Sequence, residues 1–351
     1  MNRESVMRED MEYICSAEYI PWEKLKNKTI VITGGTGLIG STLIRGLICA
    51  NAEKNLDFKI ISLVRSLERV GEVFTDEEIA EECVEFRVCD LNSPISMDEK
   101  ADFIIHGASP TASAFFASHP VETIKTGLNG TLNLLDLAVQ KNSEAFLFLS
   151  SMEMYGKIET EEPLTEDKLG YIDPIVIRNC YPETKRMCEA LAASYSAEYN
   201  IRAMSLRLAQ TFGPGVLYND KRVFAMMARC AMRSEDILLQ TKGQSRHSYL
   251  YTAQAVTAIL CVLLNGTGGK SYNAANPETY CSIAEMGEMV AEKIGGGKIK
   301  VNFAENGDVS KYPDTSYLNL SIEAIGKLGW RPIGDLMYLY DRMICAMDSE
   351  E

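Results

Sequence analysis

The sequence predicts an α/β fold: a doubly wound parallel sheet, followed by a smaller C-terminal α+β portion. Three observations predict it. Short β-branched apolar runs alternate with stretches of helical periodicity up to about residue 212. The first run stops abruptly at glycines that open a helix. Beyond residue 212 the strand–helix beat weakens, and helices, short strands and loops mix to the C-terminus. The 351 residues have room for one large or two modest domains.

Residues 1–27 read as an acidic helical extension, ending at Pro21-Trp22 and Leu25. The run Ile30-Val31-Ile32 follows, then Thr33-Gly34-Gly35-Thr36-Gly37-Leu38-Ile39-Gly40. Apolar positions resume at helical spacing through Leu43, Ile44 and Leu47 to about Ala50. Gly35, Gly37 and Gly40 fit G-x-G-x-x-G, and Gly34, Gly37 and Gly40 fit the alternative spacing counted from Thr33. One glycine makes the tight turn, one admits a pyrophosphate, and one lets the helix pack close on the strand. The amides of Leu38 and Ile39 open that helix, where the positive dipole end favours phosphate. This is a Rossmann-type dinucleotide site.

Phe58 to Val64 is the second strand, ending at Arg65. An acidic residue near this point suits the ribose of NAD, whereas an arginine suits a 2′-phosphate or simply faces water. Val84 to Val88 is the third strand, ending at Cys89-Asp90-Leu91; Asp90 either accepts from the adenine amine or caps a turn. Asp102 to His106 is the fourth, followed by the small-residue turn Gly107-Ala108-Ser109-Pro110. Ala108 and Ser109 belong beside the cofactor, and Thr111 just beyond them is a candidate substrate contact. Val121 to Val139 is a long helix, and Ala145 to Leu149 is the fifth strand, ending at Ser150-Ser151-Met152-Glu153. A loop over 157–178 precedes a helix from Cys180 to about Tyr199, and Ile201 to Leu208 is another strand. The domains are therefore read as 1–27, a dinucleotide-binding 28–212, and a mainly substrate-binding 213–351 with segments returning to the main sheet.

Tyr181 and Lys185, four residues apart, project from one face of a helix start. An ammonium beside a phenol, with the positive ring of an oxidised nicotinamide, lowers the phenol's pKa from near 10. The tyrosine then exchanges a proton with a substrate hydroxyl as hydride moves. Ser151 is placed to hydrogen-bond the same oxygen.

The net charge of −14 leaves no basic stripe for nucleic acid. The 10 cysteines form no C-x-x-C pair, which reads as reduced thiols of a cytoplasmic protein without disulfide or metal. The charged N-terminus lacks a signal peptide's apolar segment, and the longest apolar run, Ala255 to Leu264, is too short to span a bilayer.

From about residue 20 to 335 the chain resembles the extended short-chain dehydrogenases/reductases, in their nucleotide-sugar epimerase/dehydratase branch. Thr33 to Gly40, His106 to Pro110, Gly130 to Leu135, Ser150 to Gly156, Tyr181 to Lys185, Arg207 to Pro214, and Arg246 with Tyr249 and Tyr251 carry the resemblance. His106 to Leu135 and Asn179-Cys180-Tyr181 look most like UDP-glucuronate decarboxylases. The resemblance implies bound NAD or NADP, oxidation at sugar C4 through Tyr181, and a homodimer built on helices 121–139 and 182–199. It also implies a nucleotide diphosphate held by Arg246 and Arg222, with Gln210 near the substrate, and Glu153 as a second base. The departures are specific. Met152 stands where dehydratases carry an acid, so dehydration is disfavoured. Gly127 replaces an asparagine, Gln210 stands where asparagine is common, and the usual aspartate near Ala253-Gln254 is absent. Three functions compete: a nucleotide-sugar enzyme working through a C4 ketone, an NADPH-dependent keto-sugar reductase, and a non-catalytic dinucleotide-binding regulator.

Overall fold

The computed structural model describes residues 2–110, 113–304 and 315–347. Helix α1 (Arg3–Cys15) starts at Asn2 in a capping box with Ser5. The first half then alternates as β1 (Thr29–Thr33), α2 (Leu38–Lys54), β2 (Lys59–Val64), α3 (Leu67–Val73), α4 (Asp76–Ile79), β3 (Val84–Val88) and β4 (Phe103–His106). It continues with α5 (Ser113–Ser118), α6 (Pro120–Gln140), β5 (Ala145–Ser151), α7 (Cys180–Tyr199) and β6 (Ala203–Leu208). After β7 (Gln210–Phe212) come α8 (Val223–Arg233), β8 (Ile237–Leu239), β9 (Arg246–Tyr251), α9 (Thr252–Asn265), β10 (Ser271–Ala274) and β11 (Asn276–Ser282). The chain ends with α10 (Ile283–Met289), β12 (Val301–Phe303), β13 (Tyr317–Leu318), α11 (Glu323–Gly326) and α12 (Leu336–Ala346).

Seven parallel strands form the main sheet in the order β10-β6-β5-β4-β1-β2-β3. Both faces of β1, β4, β5 and β6 are buried, as expected of strands with helices on either side. The chain runs outward through β2 and β3, then returns to place β4 on the other side of β1. The carboxyl ends of β1 and β4 therefore flank the topological switch point, where such sheets bind ligands. The main strands follow the sequence expectation to within two residues at either end.

A second sheet, β11-β9-β13 with β7 paired to β9, was not expected from the sequence. Its strands are two to seven residues long and pair across long chain separations. Gln210–Phe212, just beyond the last strand read from the sequence, is β7. The apolar stretch around Ala255–Leu264 is α9, in which every residue from Thr252 to Leu264 is buried. Among the described residues, no helix is long and apolar enough to cross a membrane.

Helix α1 packs on α2, α9 and α12. Buried Asp10 accepts from Tyr251 at 2.9 and 2.8 Å and from Arg342 at 2.8 Å, so the N-terminal extension is tied to β9 and α12. The ten cysteines are free. One grouping escaped the sequence reading because it joins two helices: Cys15, Cys49 and Glu53 place potential metal-ligand atoms within 4.8 Å of one another. Burial pushes both thiols up.

Candidate active site

The glycine turn sits at the switch point. Gly34 has φ +79°, and a Cβ there would lie 2.7 Å from the Gly107 carbonyl carbon, so the turns after β1 and β4 touch. A Cβ on Gly40 would lie 2.1 Å from the Gly34 oxygen, and glycine there lets α2 start against the turn. A Cβ on Gly37 would meet only the Gly34 oxygen, at 3.3 Å, and otherwise faces open space. Gly37 caps α2 without a side chain, and the first turn holds no acidic residue. The amides of Leu38, Ile39 and Gly40 thus present an unneutralised helix N-terminus, which fits the pyrophosphate of a dinucleotide.

Around this cradle, the Ala108 amide donates to Thr33 Oγ1 at 3.2 Å, fixing the turn that carries Ser109. Buried His106 shares a 2.8 Å hydrogen bond with the same hydroxyl, and burial pushes its pKa down to about 3. Exposed Asp90 accepts from the amide and side chain of Asn92, both at 3.0 Å, which makes it a turn cap. Leu91 is held by Asn133 Nδ2, which donates to its carbonyl at 2.8 Å. Arg65 is exposed at the end of β2.

The proton-transfer group lies at the ends of β5 and α7. Ser151 Oγ accepts from the Glu153 amide at 3.2 Å, which leaves its own proton directed elsewhere; the Tyr181 phenol faces it. Tyr181 and Lys185 are both buried. Phe116 from α5 stacks flat on Tyr181, with ring centroids 4.3 Å apart and planes at 3°. Lys185 Nζ donates to the Leu149 carbonyl at 2.8 Å and lies 5.6 Å from the Tyr181 ring centroid. Burial pushes the Lys185 pKa down to about 8.

Lys185 is not among the larger influences on the phenol in this structure. Burial is the largest influence on Tyr181 and pushes its pKa up, Glu153 pushes it further, and Ser151 and Arg178 pull it down. The ammonium is committed to a strand-end carbonyl, where it fixes α7 against β5.

Two arginines of the site were missed in the sequence. Arg178 Nη1 pairs with Glu153 Oε2 at 3.1 Å. Arg186 donates to the carbonyls of Met154 at 2.7 Å, Tyr155 at 3.2 Å and Gly170 at 2.7 Å, binding the turn after β5 to α7. Their position beside the Tyr181–Lys185 pair was the available signal, but their partners are set by tertiary structure. The other predicted residues lie apart from this group. Gln210 is half-buried in β7. Arg222 is engaged with Asp220 at 3.1 and 2.6 Å, and Arg246 with Glu285 at 2.9 Å and Glu161 at 3.3 Å. Thr111 lies outside the described residues.

A phosphate-ready helix start beside a buried phenol, hydroxyl and ammonium is the arrangement expected of a dinucleotide-dependent enzyme. Within that class, the chain belongs to the NAD-dependent epimerase/dehydratase family, whose model matches residues 30–275. It is 30% identical over 315 residues to UDP-glucuronic acid decarboxylase 6 of Arabidopsis thaliana, covering 87% of this chain and 84% of that one. It is 28% identical over 330 residues to UDP-glucuronic acid decarboxylase 1 of Xenopus tropicalis, covering 93% and 74%. Among solved structures, a UDP-glucose 4-epimerase of Thermotoga maritima with UDP-glucose aligns with TM-score 0.75 at 19% identity, over 91% of this chain and 98% of that one. A dTDP-glucose 4,6-dehydratase of Streptomyces venezuelae with NAD bound gives 0.73 at 20%, over 90% and 95%.

Proposed function

We propose that this enzyme oxidises the C4 hydroxyl of a nucleotide-activated sugar, uses the ketone for a second step, and then reduces it again. The observation that carries this reading is the placement of Tyr181, with Ser151 facing its phenol, at strand ends next to the glycine cradle. The glycine turn and the amides of Leu38, Ile39 and Gly40 would hold a dinucleotide, which would supply a hydride acceptor and donor for C4. Tyr181 takes the C4 hydroxyl proton and later gives it back. Ser151 holds the same oxygen, Lys185 fixes α7 and supplies positive charge nearby, and Glu153 is a second base for the carbon beside the ketone.

Met152 selects among the second steps. Loss of a hydroxyl as water needs an acid to protonate the leaving oxygen, and a buried thioether has no proton to give. Loss of carbon dioxide from a uronate next to a C4 ketone breaks the C5–C6 bond and leaves an enolate that takes its proton at C5 from water, so no leaving oxygen has to be protonated; return of the hydride to the other face needs no leaving-group acid either. The relatives' names favour decarboxylation of a nucleotide-linked uronate, with epimerisation as the rival. Arg222 and Arg246 would meet the diphosphate by exchanging their carboxylate partners for it. Arg65, Asp90, Leu91, Ala108 and Ser109 would line the dinucleotide.

Replacing Tyr181 with Phe tests the assignment. Turnover of a nucleotide sugar falls by at least about a hundredfold, while binding of the sugar nucleotide, followed by calorimetry, stays within a few-fold; unchanged turnover would sink the assignment. A net reductase using NADPH is the second reading, favoured by Arg65 at the end of β2. A cytoplasmic homodimer completes the proposal. Exposed Val121, Ile124 and Met187 on α6 and α7 supply an apolar face for the second copy. Light scattering should return twice the chain mass, and a monomer's mass would remove the dimer.

A further inference from the structure

The ion pair between Glu153 and Arg178 is the feature of the site that the mechanism above does not use. Both side chains are about 30% exposed, so the pair lies between the core and the surface. Glu153 follows Ser151 by two residues, and Arg178 precedes Tyr181 by three. The pair therefore bridges the two chain segments that carry the acid–base residues. An unbalanced carboxylate at this place opposes formation of a phenolate next to it, because like charges disfavour one another.

We propose that Arg178 is a positioning residue of the active site: its guanidinium fixes the Glu153 carboxylate and cancels its negative charge beside Tyr181, so that the tyrosine can give up its proton. The inference rests on Tyr181 being the acid–base group proposed above. Among the described residues, these groups face Tyr181. Glu153 comes from the turn after β5, Ser151 from β5, Arg178 from the turn before α7, and Lys185 from α7. The face covered by α5 presents the apolar Phe116. Glu153 is the one anion in this set, and Arg178 is the cation that touches it. The direction of each influence agrees with the geometry: Glu153 raises the Tyr181 pKa and Arg178 lowers it. Lys185 adds positive charge near the phenol while its ammonium donates to the Leu149 carbonyl.

The arrangement also keeps Glu153 aimed, because a carboxylate held by a guanidinium keeps one orientation. One cation thus serves both bases of the proposed reaction.

The test is a titration of the full-length protein saturated with NAD, following phenolate absorbance and subtracting the Tyr181→Phe variant to isolate Tyr181. The pH profile of kcat/KM is recorded alongside. Arg178→Gln should move the Tyr181 titration and the alkaline-rising limb of the profile up by about one pH unit, with about a tenfold loss of kcat/KM below that limb. Arg178→Lys, which keeps the charge, should restore most of the shift. The double variant Arg178→Gln/Glu153→Gln should titrate near the parent, because neither charge remains. Glu153→Gln alone should move the titration down, and it keeps the proposal testable if Arg178→Gln does not fold. An unmoved titration in Arg178→Gln or in Glu153→Gln, or a shift that persists in the double variant, overturns the proposal. Failure of the parent reading looks different: turnover would then survive in Tyr181→Phe whatever the titrations show.

Discussion

Gly37 and Gly40 lie three residues apart in one turn and answer to different constraints. At Gly40 the obstacle is backbone: a Cβ would sit 2.1 Å from the Gly34 oxygen, which no side-chain rotation can relieve. Gly40→Ala should therefore displace the start of α2 and destabilise the protein by about 1–3 kcal/mol. At Gly37 the fold leaves room, and the space is where a pyrophosphate would approach. Gly37→Ala should melt within about a degree of the parent but bind NAD at least about tenfold more weakly, a loss of roughly 1.4 kcal/mol. Parallel melting curves and NAD titrations separate the two; equal NAD affinity in Gly37→Ala would mean that the cradle is not the phosphate site. At this scale the sequence was informative where chemistry is local. The glycine turn, Ser151, Tyr181 and Lys185 are short-range patterns. The Glu153–Arg178 pair joins segments 25 residues apart and is set only by the fold. The same holds for the carbonyl that claims Lys185, 36 residues away in the chain.

At the scale of elements, the contact between α6 and α7 places the chemistry. Gly127 in α6 faces Thr184 in α7, one residue before Lys185; a Cβ on Gly127 would lie 2.4 Å from Thr184 Cγ2. Thr184 is not free to turn away without cost, because its hydroxyl donates to the Cys180 carbonyl at 2.6 Å. Gly127 is thus what lets α7 lie close to α6 and set Tyr181 and Lys185 against β5. Read from the sequence, Gly127 was a departure from the family pattern; the structure supplies a packing reason for it. Gly127→Ala should push α7 outward, lowering stability by about 1–3 kcal/mol and kcat more than it raises KM. Adding Thr184→Ala, which removes the opposing methyl, should recover most of the loss. Equal damage in the single and double variants would show that the contact does not transmit to the site. Strands β1 to β6 of the main sheet were legible because each is an apolar-rich or alternating run bounded by turns, whereas β10 (Ser-Tyr-Asn-Ala) carries no such pattern. The second sheet was not legible, because β7 and β13 are too short to show any alternation, and β9 takes partners from three distant parts of the chain.

For the whole molecule, the main sheet is built by chain segments from both halves. β10 (residues 271–274) returns beside β6 after α8, the second sheet's first strands and α9 have been laid down. The N-terminal helix is similarly bound to the far end of the chain through Asp10 and Arg342. These closures pair residues 66 apart for β10 with β6 and 332 apart for Asp10 with Arg342, which leaves little trace in local periodicity; the fold class was legible, but the way the last 140 or so residues wrap it (read from the element order) was not. The central claim for this molecule is that it is a redox enzyme with no net redox change: a C4 ketone is made, used and reduced again within one site. The measurement that tests this most directly is turnover of UDP-linked sugars, a uronate among them, by the purified protein with catalytic NAD, following product by mass and NADH by absorbance in the same sample. The account predicts a converted sugar, formed in many-fold excess over the cofactor present, without accumulation of NADH. Conversion only when NADPH is supplied, consumed one for one with a keto-sugar, would contradict it and make the protein a reductase.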